Sequence, residues 1–314
     1  MGIPVPSSID ATGNTDVSAA LNAWVSSVPN GSTLLFPAGA TYRLTQGIQI
    51  ANRSNLTFEG NGATLKVDPA ASGTNQLASA FVLGHQYGGY WGGTNTNIVI
   101  RDFTLVGNAP TPGVYVPGQE GEAALELVST NGLQVSGITA SAFPGDFAFI
   151  EADTAVRVHD NTVLSTGRNG LTIISGSNVE FDHNAMTKVG YVVYDIEPND
   201  ASEASSFVNI HDNESRSWSD AFFAVDGSKT GAAIHDLTVA NNRSIGASLL
   251  TVVNPGAVAR EQTIAFTGNS SDTAAGGPVL DFTAVDGLTI TGNVQPVSRG
   301  TLVNTTNCSG VTMQ

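Results

Sequence analysis

Cysteine, charge and long apolar runs are all scarce in this 314-residue chain, and each scarcity excludes something. Cys308 stands alone, so no disulfide can staple the fold from within. Only 12% of residues are charged, and the 12 basic residues against 27 acidic ones leave a net charge of −15. Such a surface repels nucleic acid and anionic membranes, so neither is an expected partner. It also disfavours strongly acidic polymers unless Ca²⁺ or a local basic patch bridges them. No stretch of 18 or more apolar residues occurs, so membrane insertion is not expected. The opening Met1-Gly2-Ile3-Pro4 is not a secretory leader. The expectation is an extracellular, secreted protein whose leader is absent from this sequence, or a virion-associated one. There is no Gly-rich phosphate loop, no nucleophilic serine elbow and no CxxC pair.

What the chain has in quantity is glycine, 35 residues of it, and a repeat. The motif apolar-x-apolar-x-x-Asn fits Leu56/Phe58/Asn61, Val156/Val158/Asn161, Val179/Phe181/Asn184 and Val208/Ile210/Asn213. It continues at Leu237/Val239/Asn242, Ile264/Phe266/Asn269 and Leu288/Ile290/Asn293, with Phe103 and Ile138 in the asparagine place of two other passes. From Asn161 onward the spacings are 23, 29, 29, 27 and 24 residues. A constant local motif at variable spacing means a fixed strand-and-turn core with loops of changing length. Period-2 alternation marks strands with one buried face, and Asn and Gly suit turns with left-handed backbone. An asparagine at one place in every pass can stack on its neighbours and bond the turn backbone. One pass cannot bury its apolar strand; stacked passes can. The expected architecture is therefore all-β: a single-stranded right-handed parallel β-helix of about ten coils, roughly 45–50 Å long at about 4.8 Å per coil.

The chain reads as one domain, 1–314. Residues 8–44 form an N-terminal cap and first strand. Val17, Ala20, Leu21, Trp24 and Val25 share one face of an amphipathic helix that Pro29-Asn30-Gly31 ends. Residues 55–130 carry two long loops, residues 131–230 the candidate active-site coils, and residues 231–314 structural coils whose outward positions are Ser, Thr and Asn. In that last part Val252, Val253, Val279, Leu280, Phe282, Leu302 and Val303 are expected to continue the core. The last coil shows no cap, which leaves open a further domain, a small cap formed by the tail, or a neighbouring subunit. Monomer and homotrimer both remain open.

The stretch Asp10-Ala-Thr-Gly through Asp16, Ala19-Ala20-Leu21, Phe36-Pro37-Ala38-Gly39 and Tyr42 resembles the N-terminal cap of pectin-lyase-like right-handed parallel β-helix proteins. That superfamily holds polysaccharide lyases, glycoside hydrolases, uronate epimerases and phage tailspikes. The resemblance covers nearly the whole chain and is specific for fold rather than reaction. It implies a polysaccharide or oligosaccharide partner. Its polygalacturonase-type members use clustered aspartates; its lyases use a Ca²⁺ held by acids and an Arg or Lys that takes the proton beside the uronate carboxylate. Arg168 and Lys188 are the basic residues near the acidic face. Tyr194-Asp195-Ile196-Glu197-Pro198 is similar to the Tyr-x-x-Asp-Pro-His block of uronate epimerases, without its histidine.

The second strand of each coil concentrates acids and aromatics. It reads Gly145-Asp146 to Glu151-Ala-Asp153, then Gly167-Arg168-Asn169, then Gly190-Tyr191 to Asp195-Ile-Glu197, then Ser219-Asp220 to Asp226. Laid side by side, Asp146, Asn169, Tyr191 and Asp220 form one row, and Glu151/Asp153, Glu197 and Asp226 another. Asp195, between Tyr194 and Ile196, points outward. Adjacent coils bring carboxylates within about 5 Å and alternate coils within about 9–10 Å, the separations of retaining and inverting glycosidases. The expected function is a carbohydrate-active enzyme, a glycoside hydrolase by carboxylate acid/base catalysis. Asp195 and Glu197 are the acid/base pair, with Asp220, Asp146 or Asp226 as alternates, and Arg168 orients or stabilises. Tyr191, Tyr194 and the loop with Tyr87, Tyr90 and Trp91 bind sugar, with Asp146 and Asp226 at the same face; exposed aromatics stack on the apolar faces of sugar rings. No cofactor or metal is expected, except Ca²⁺ if the reaction is elimination. A polysaccharide lyase, and a non-catalytic glycan-binding or structural β-helix such as a tailspike or adhesin, are the alternatives. Each acid also has a bland reading, because Asp and Asn end strands and cap turns throughout such folds. His159, His183, His211 and His235 align with the turns and read as turn packing.

Overall fold

The computed structural model describes residues 2–69, 79–84, 93–226, 230–254 and 260–314. Every pairing between its strands is parallel, and the chain winds as a β-helix. A sheet of ten short strands takes one strand from each coil in chain order, from Ile48–Ile50 to Val303–Thr306. A larger sheet wraps the rest of each coil, a seven-residue strand such as Asp153–His159 and, past a corner, a short one such as Thr162–Val163.

The alternating pattern becomes continuous stacks. Leu133, Val156, Val179, Val208, Leu237, Ile264 and Leu288 stand side by side coil after coil, as do Val135, Val158, Phe181, Ile210, Val239, Phe266 and Ile290. All are buried. Burial of a large aliphatic or aromatic side chain is worth about 1.5–3 kcal/mol, so each added coil stabilises the one before it.

The corner asparagines form a ladder. Asn161, Asn184, Asn213 and Asn242 each donate from Nδ2 to the next asparagine's Oδ1, at 2.9–3.0 Å, and Asn269 does the same to Asn293 at 3.1 Å. Each Oδ1 also accepts the backbone N–H of the asparagine below, and Nδ2 reaches a carbonyl of the preceding coil, as from Asn184 to Val158 at 2.9 Å. The left-handed residue is the one just before the asparagine: Asp160, His183, Asp212, Asn241, Gly268 and Gly292. Asp, Asn, His and Gly tolerate that conformation best. Phe103 and Ile138, which replace the asparagine in two coils, turn into the core instead.

A helix over Ser18–Ser27 covers the first coil with Leu21, Trp24 and Val25, and the Trp24 ring meets Phe36 edge-on at 5.5 Å. Asp16 accepts from Ser18 and Thr45 and ties the helix start to the wall. Ala20, placed on the buried face from the sequence, is exposed. In the later coils Val253, Val279, Leu280 and Phe282 are buried, whereas Val252 faces outward and Leu302 and Val303 are half-buried. Among the described residues no helix is long and apolar enough to cross a membrane.

Candidate active site

The site lies on the outer side of the ten-stranded sheet. Its strands there are Leu125–Val128, Ala148–Glu151, Leu171–Ile173 and Tyr194–Ile196. Their register puts Glu126, Phe149, Thr172 and Asp195 in one lateral row. Backbone bonds from Ile174 to Ile150 and from Glu197 to Ile173 continue the register by one residue, so Glu151, Ile174 and Glu197 form the next row. Alternation decides direction. Tyr194 and Ile196 point into the core, and Asp195 between them points out.

Around Asp195 the polar side chains close a ring. Arg168 donates to Asp146 Oδ2 at 3.1 Å and, with its other terminal nitrogen, to Glu197 Oε1. Glu197 is hydrogen-bonded to Asp195. Asp195 Oδ2 accepts from Asn169 Nδ2 at 3.1 Å, and Asn169 Nδ2 also contacts Thr172 Oγ1 at 3.0 Å. Thr172 donates back to Asp146 Oδ2 at 2.8 Å. Two glycines seat the arginine's turn. A Cβ on Gly167 would lie 2.1 Å from the carbonyl oxygen of Pro144, and one on Gly190 would lie 2.0 Å from that of Gly167.

The electrostatics follow from burial. Asp195 is 6% exposed, and burial together with the neighbouring Glu197 charge pushes its carboxyl well above the carboxylate range. Burial raises Glu197 too, against the pull of Arg168. Two neighbouring carboxyls in a low dielectric oppose each other's ionisation, so the pair titrates as a unit. Arg168 is held firmly charged: burial opposes its charge, but Asp146 and Glu197 more than compensate.

Glu197 and Arg168 open onto a cavity of about 280 Å³, lined also by Ser79, Glu120, Glu126, Phe149, Glu151, Ile174 and Asn199. Next to Glu120, Tyr115 stacks on Tyr191, centroids 5.3 Å apart, and its hydroxyl donates to Glu120 at 2.6 Å. Burial would raise Glu120, but that hydroxyl and the Gly118 N–H outweigh it and hold the carboxyl below its usual range.

The structure brings together Asp195, Glu197, Arg168, Asp146 and Tyr191, and it corrects several placements. Asp146 is wholly buried, closed over by Arg168, the Asn169 N–H and the Thr172 hydroxyl. Tyr194 is wholly buried among Phe181 and Phe222, so it cannot meet sugar on the outer face. The row of Asp146 and Asn169 continues through Val192, not Tyr191. Tyr191 shares a row with Arg168 and Asp220. Asp220 is exposed beside Tyr191, Asp226 lies one coil beyond Glu197, and neither lines the cavity. Tyr87, Tyr90 and Trp91 lie outside the described residues.

Glu126, Glu120, Ser79, Phe149 and Asn199 were not singled out from the sequence. Glu126 carried a usable signal, an acid between Leu125 and Leu127 where a half-buried strand faces outward.

His159, His211 and His235 each pair through Nδ1 with the aspartate that follows, and His183 with Asp182 before it. Among the described residues one group of three donors, Glu180, Asp182 and His211, is spaced for a metal ion; it lies on the other sheet, where Arg157 already pairs with both acids.

No family model matches the chain, and no curated protein matches it. Solved structures do. The polygalacturonase from Erwinia carotovora ssp. carotovora superposes with a TM-score of 0.67 at 11% identity, over 100% of this chain and 96% of its own. The DFA-IIIase from Arthrobacter chlorophenolicus A6 without its lid, in complex with GF2, gives 0.64 at 13%, over 99% and 94%. The GH87 α-1,3-glucanase catalytic unit from Streptomyces thermodiastaticus gives 0.60 at 15%, over 100% of this chain and 63% of its own. The shared fold is the parallel β-helix that the sequence implied.

Proposed function

We propose that the chain is a glycoside hydrolase that cleaves an oligosaccharide or polysaccharide by carboxylate acid/base catalysis. The observation that carries this reading is the buried, coupled Asp195–Glu197 pair, its carboxyls both pushed up, with Glu197 facing a cavity that further carboxyls line. Glu197 faces the cavity and is the proton donor to the departing glycosidic oxygen. Asp195 lies behind it, and its own raised carboxyl favours a proton on the pair. A raised carboxyl pKa is what a general acid requires.

The two members of the pair are too close together to admit a sugar or a water between them, so they act as one group. The second catalytic group is then Glu151, in the row of Glu197 with Ile174 between. Two coils separate the two residues by about 9–10 Å along the stack, near the spacing of inverting enzymes. Glu151 takes a proton from a water that attacks the anomeric carbon while the bond to the leaving oxygen breaks. Phe149 supplies an apolar surface for the ring, and the Tyr115–Tyr191 stack backs Glu120 beside it.

Elimination is the weaker reading. A lyase needs a basic side chain able to take up a proton, and Arg168 is locked in ion pairs with Asp146 and Glu197. The test incubates the protein with neutral and uronate polysaccharides, with Ca²⁺ or with chelator, and follows reducing ends and absorbance near 235 nm. Reducing ends without absorbance, lost in Asp195→Asn and in Glu197→Gln and appearing with inverted anomeric configuration, support the reading. Ca²⁺-dependent absorbance would mean a lyase. Silence on every substrate, with oligosaccharide binding retained, would point to a glycan-binding protein.

A further inference from the structure

Residues 110–121 run beside the site as a strap that is tied to the wall at its two ends. At one end the Gly107 and Ala109 N–H groups donate to the carbonyls of Ser141 and Ala142, at 2.9 and 2.8 Å. At the other, the Glu122 carbonyl accepts the Gly145 N–H at 3.0 Å, and the Ala124 N–H donates to the Asp146 carbonyl at 2.8 Å. Between these ties, among the described residues, the backbone bonds of the strap are its own: Val114 to Thr111, Gln119 to Val116 and Glu122 to Gln119. Its other contacts with the wall come from Tyr115 stacked on Tyr191, from the Ser79 hydroxyl 3.4 Å from the Gly121 carbonyl, and from Gly113, where an added Cβ would come within 2.8 Å of the Lys188 Cβ. The strap brings Glu120 and Gly121 to the cavity. A segment held by so few backbone bonds opens at low cost.

Glu122 stands at the second tie. It is 7% exposed, and its Oε2 is buried without a hydrogen-bond partner. Three residues earlier, Gln119 Oε1 is likewise buried and unpartnered. A neutral carboxyl is tolerated in such a place; a carboxylate, which only accepts and finds no donor there, is not. We infer that Glu122 latches the strap, which lies closed against the cavity while this side chain is neutral and is released when it ionises. The charged groups on the elements at this end are Glu120 on the strap, Asp146 and Arg168 on the adjoining turns and Glu126 on the strand that follows. Burial, rather than any of them, pushes the Glu122 carboxyl from 4.5 up to about 7. The open strap ionises Glu122 near 4.5 and the closed strap only near 7, so between those values the closed form holds one more proton. Its population relative to the open form therefore falls about tenfold per pH unit, about 300-fold in all, and levels off above 7. Glu120, held below its usual range when the strap is closed, has the opposite sign, but that effect is lost only in acid below the usual carboxylate range and is constant at higher pH. The inference concerns the wall of the proposed sugar site and does not rest on the hydrolytic step.

The test is hydrogen exchange of the whole chain, without sugar, from pH 5 to 8. Mass spectrometry follows peptides covering residues 110–122, with labelling times corrected for the intrinsic pH dependence of amide exchange. The N–H groups of Val114, Gly118, Gln119 and Glu122, each bonded within the strap, are the reporters. Corrected exchange in the strap should rise by about 70-fold from pH 5 to 8, most of it below pH 7, while the core peptide over Val156–His159 stays protected. Glu122→Gln keeps the shape and cannot ionise, so its strap should stay protected without that rise. Tyr115→Phe removes the bond to Glu120 and should speed strap exchange at every pH, leaving the rise in place. A strap equally protected at pH 5 and pH 8 overturns the inference, as does a rise in Glu122→Gln equal to that of the wild type. So does a rise lost in Tyr115→Phe, which would put the sensor at Glu120, or a core peptide exchanging along with the strap, which would mean unfolding at large. Cleavage of a glycan with a strap indifferent to pH would sink this inference and leave the hydrolase intact; a strap that opens as expected on a chain that cleaves nothing would do the reverse.

Discussion

Asp153 offers the most direct quantitative test of the electrostatics in this wall. It is 1% exposed at the start of its strand, accepts the Thr130 N–H with Oδ1, and leaves Oδ2 without a hydrogen-bond partner. Burial, with a smaller push from Glu151, raises its carboxyl from 3.8 to about 8. The unfolded chain ionises this group near pH 4, whereas the folded chain keeps it protonated to about 8. Between those values the native state holds one more proton than the unfolded state, so stability falls as pH rises, by about 1.4 kcal/mol per unit. Integrated from the two pKa values, the group lowers stability by about 1 kcal/mol at pH 4.5 and by about 5 kcal/mol at pH 7.5. Asp153→Asn keeps the shape and the acceptor for Thr130 but cannot ionise. Urea unfolding of both proteins, followed by Trp fluorescence from pH 4.5 to 8.5, should show the stability difference shifting in favour of the variant by about 4 kcal/mol between pH 4.5 and 7.5 and levelling off near pH 8. A packing cost in the variant would offset the whole curve without changing its slope. The other buried acids cancel in the difference. A difference flat with pH would refute the claim that Asp153 is held neutral.

Other expectations follow from the same geometry. Asp195→Asn should lower kcat by about 100-fold or more at neutral pH, because an amide beside Glu197 cannot hold the proton the pair shares; a kcat within a few-fold of wild type would remove Asp195 from the mechanism. Arg168→Met leaves Asp146 buried without its counter-charge and should destabilise by about 3–5 kcal/mol. Adding Asp146→Leu should recover much of that loss in the same unfolding measurement. Asn184→Ala deprives Asn161 and the Val158 carbonyl of buried partners; about 1–3 kcal/mol for each orphaned group predicts a fall in the urea midpoint far larger than for an exposed Asn→Ala change. Gly190→Ala forces a methyl against the Gly167 carbonyl and should both destabilise the chain and displace Arg168, read as a lowered midpoint with a loss of activity.

Much of the coil was legible one residue at a time. Alternation over Val156-Arg157-Val158 says which side chains face inward, and the recurring asparagine says where the corner is. Both signals are local, and the parallel β-helix follows from their repetition because one coil cannot bury its own strand. The same alternation pointed Asp195 outward. It also turned Tyr194 inward, against the sugar-binding role expected of it. The helix over the first coil was legible too, except for the direction of Ala20.

The lateral arrangement was decided only in three dimensions. Which residue of one coil stands beside which residue of the next depends on how the changing loop lengths of coils of 23 to 29 residues are absorbed, and a shift of one exchanges Tyr191 for Val192 beside Asn169. Burial of an acid cannot be read from its own strand either: Asp146 looks like any turn aspartate until Arg168, Asn169 and Thr172 close over it. The cavity takes Ser79, Glu126, Glu151 and Glu197 from different coils, dozens of residues apart in the chain, and only the stacking of those coils brings them to one wall. The sequence alone determined the fold and the outward face of Asp195. The burial of Asp195 against Glu197 and the lining of the cavity were decided by the packing between coils, because desolvation and charge proximity are properties of neighbours that no single strand contains.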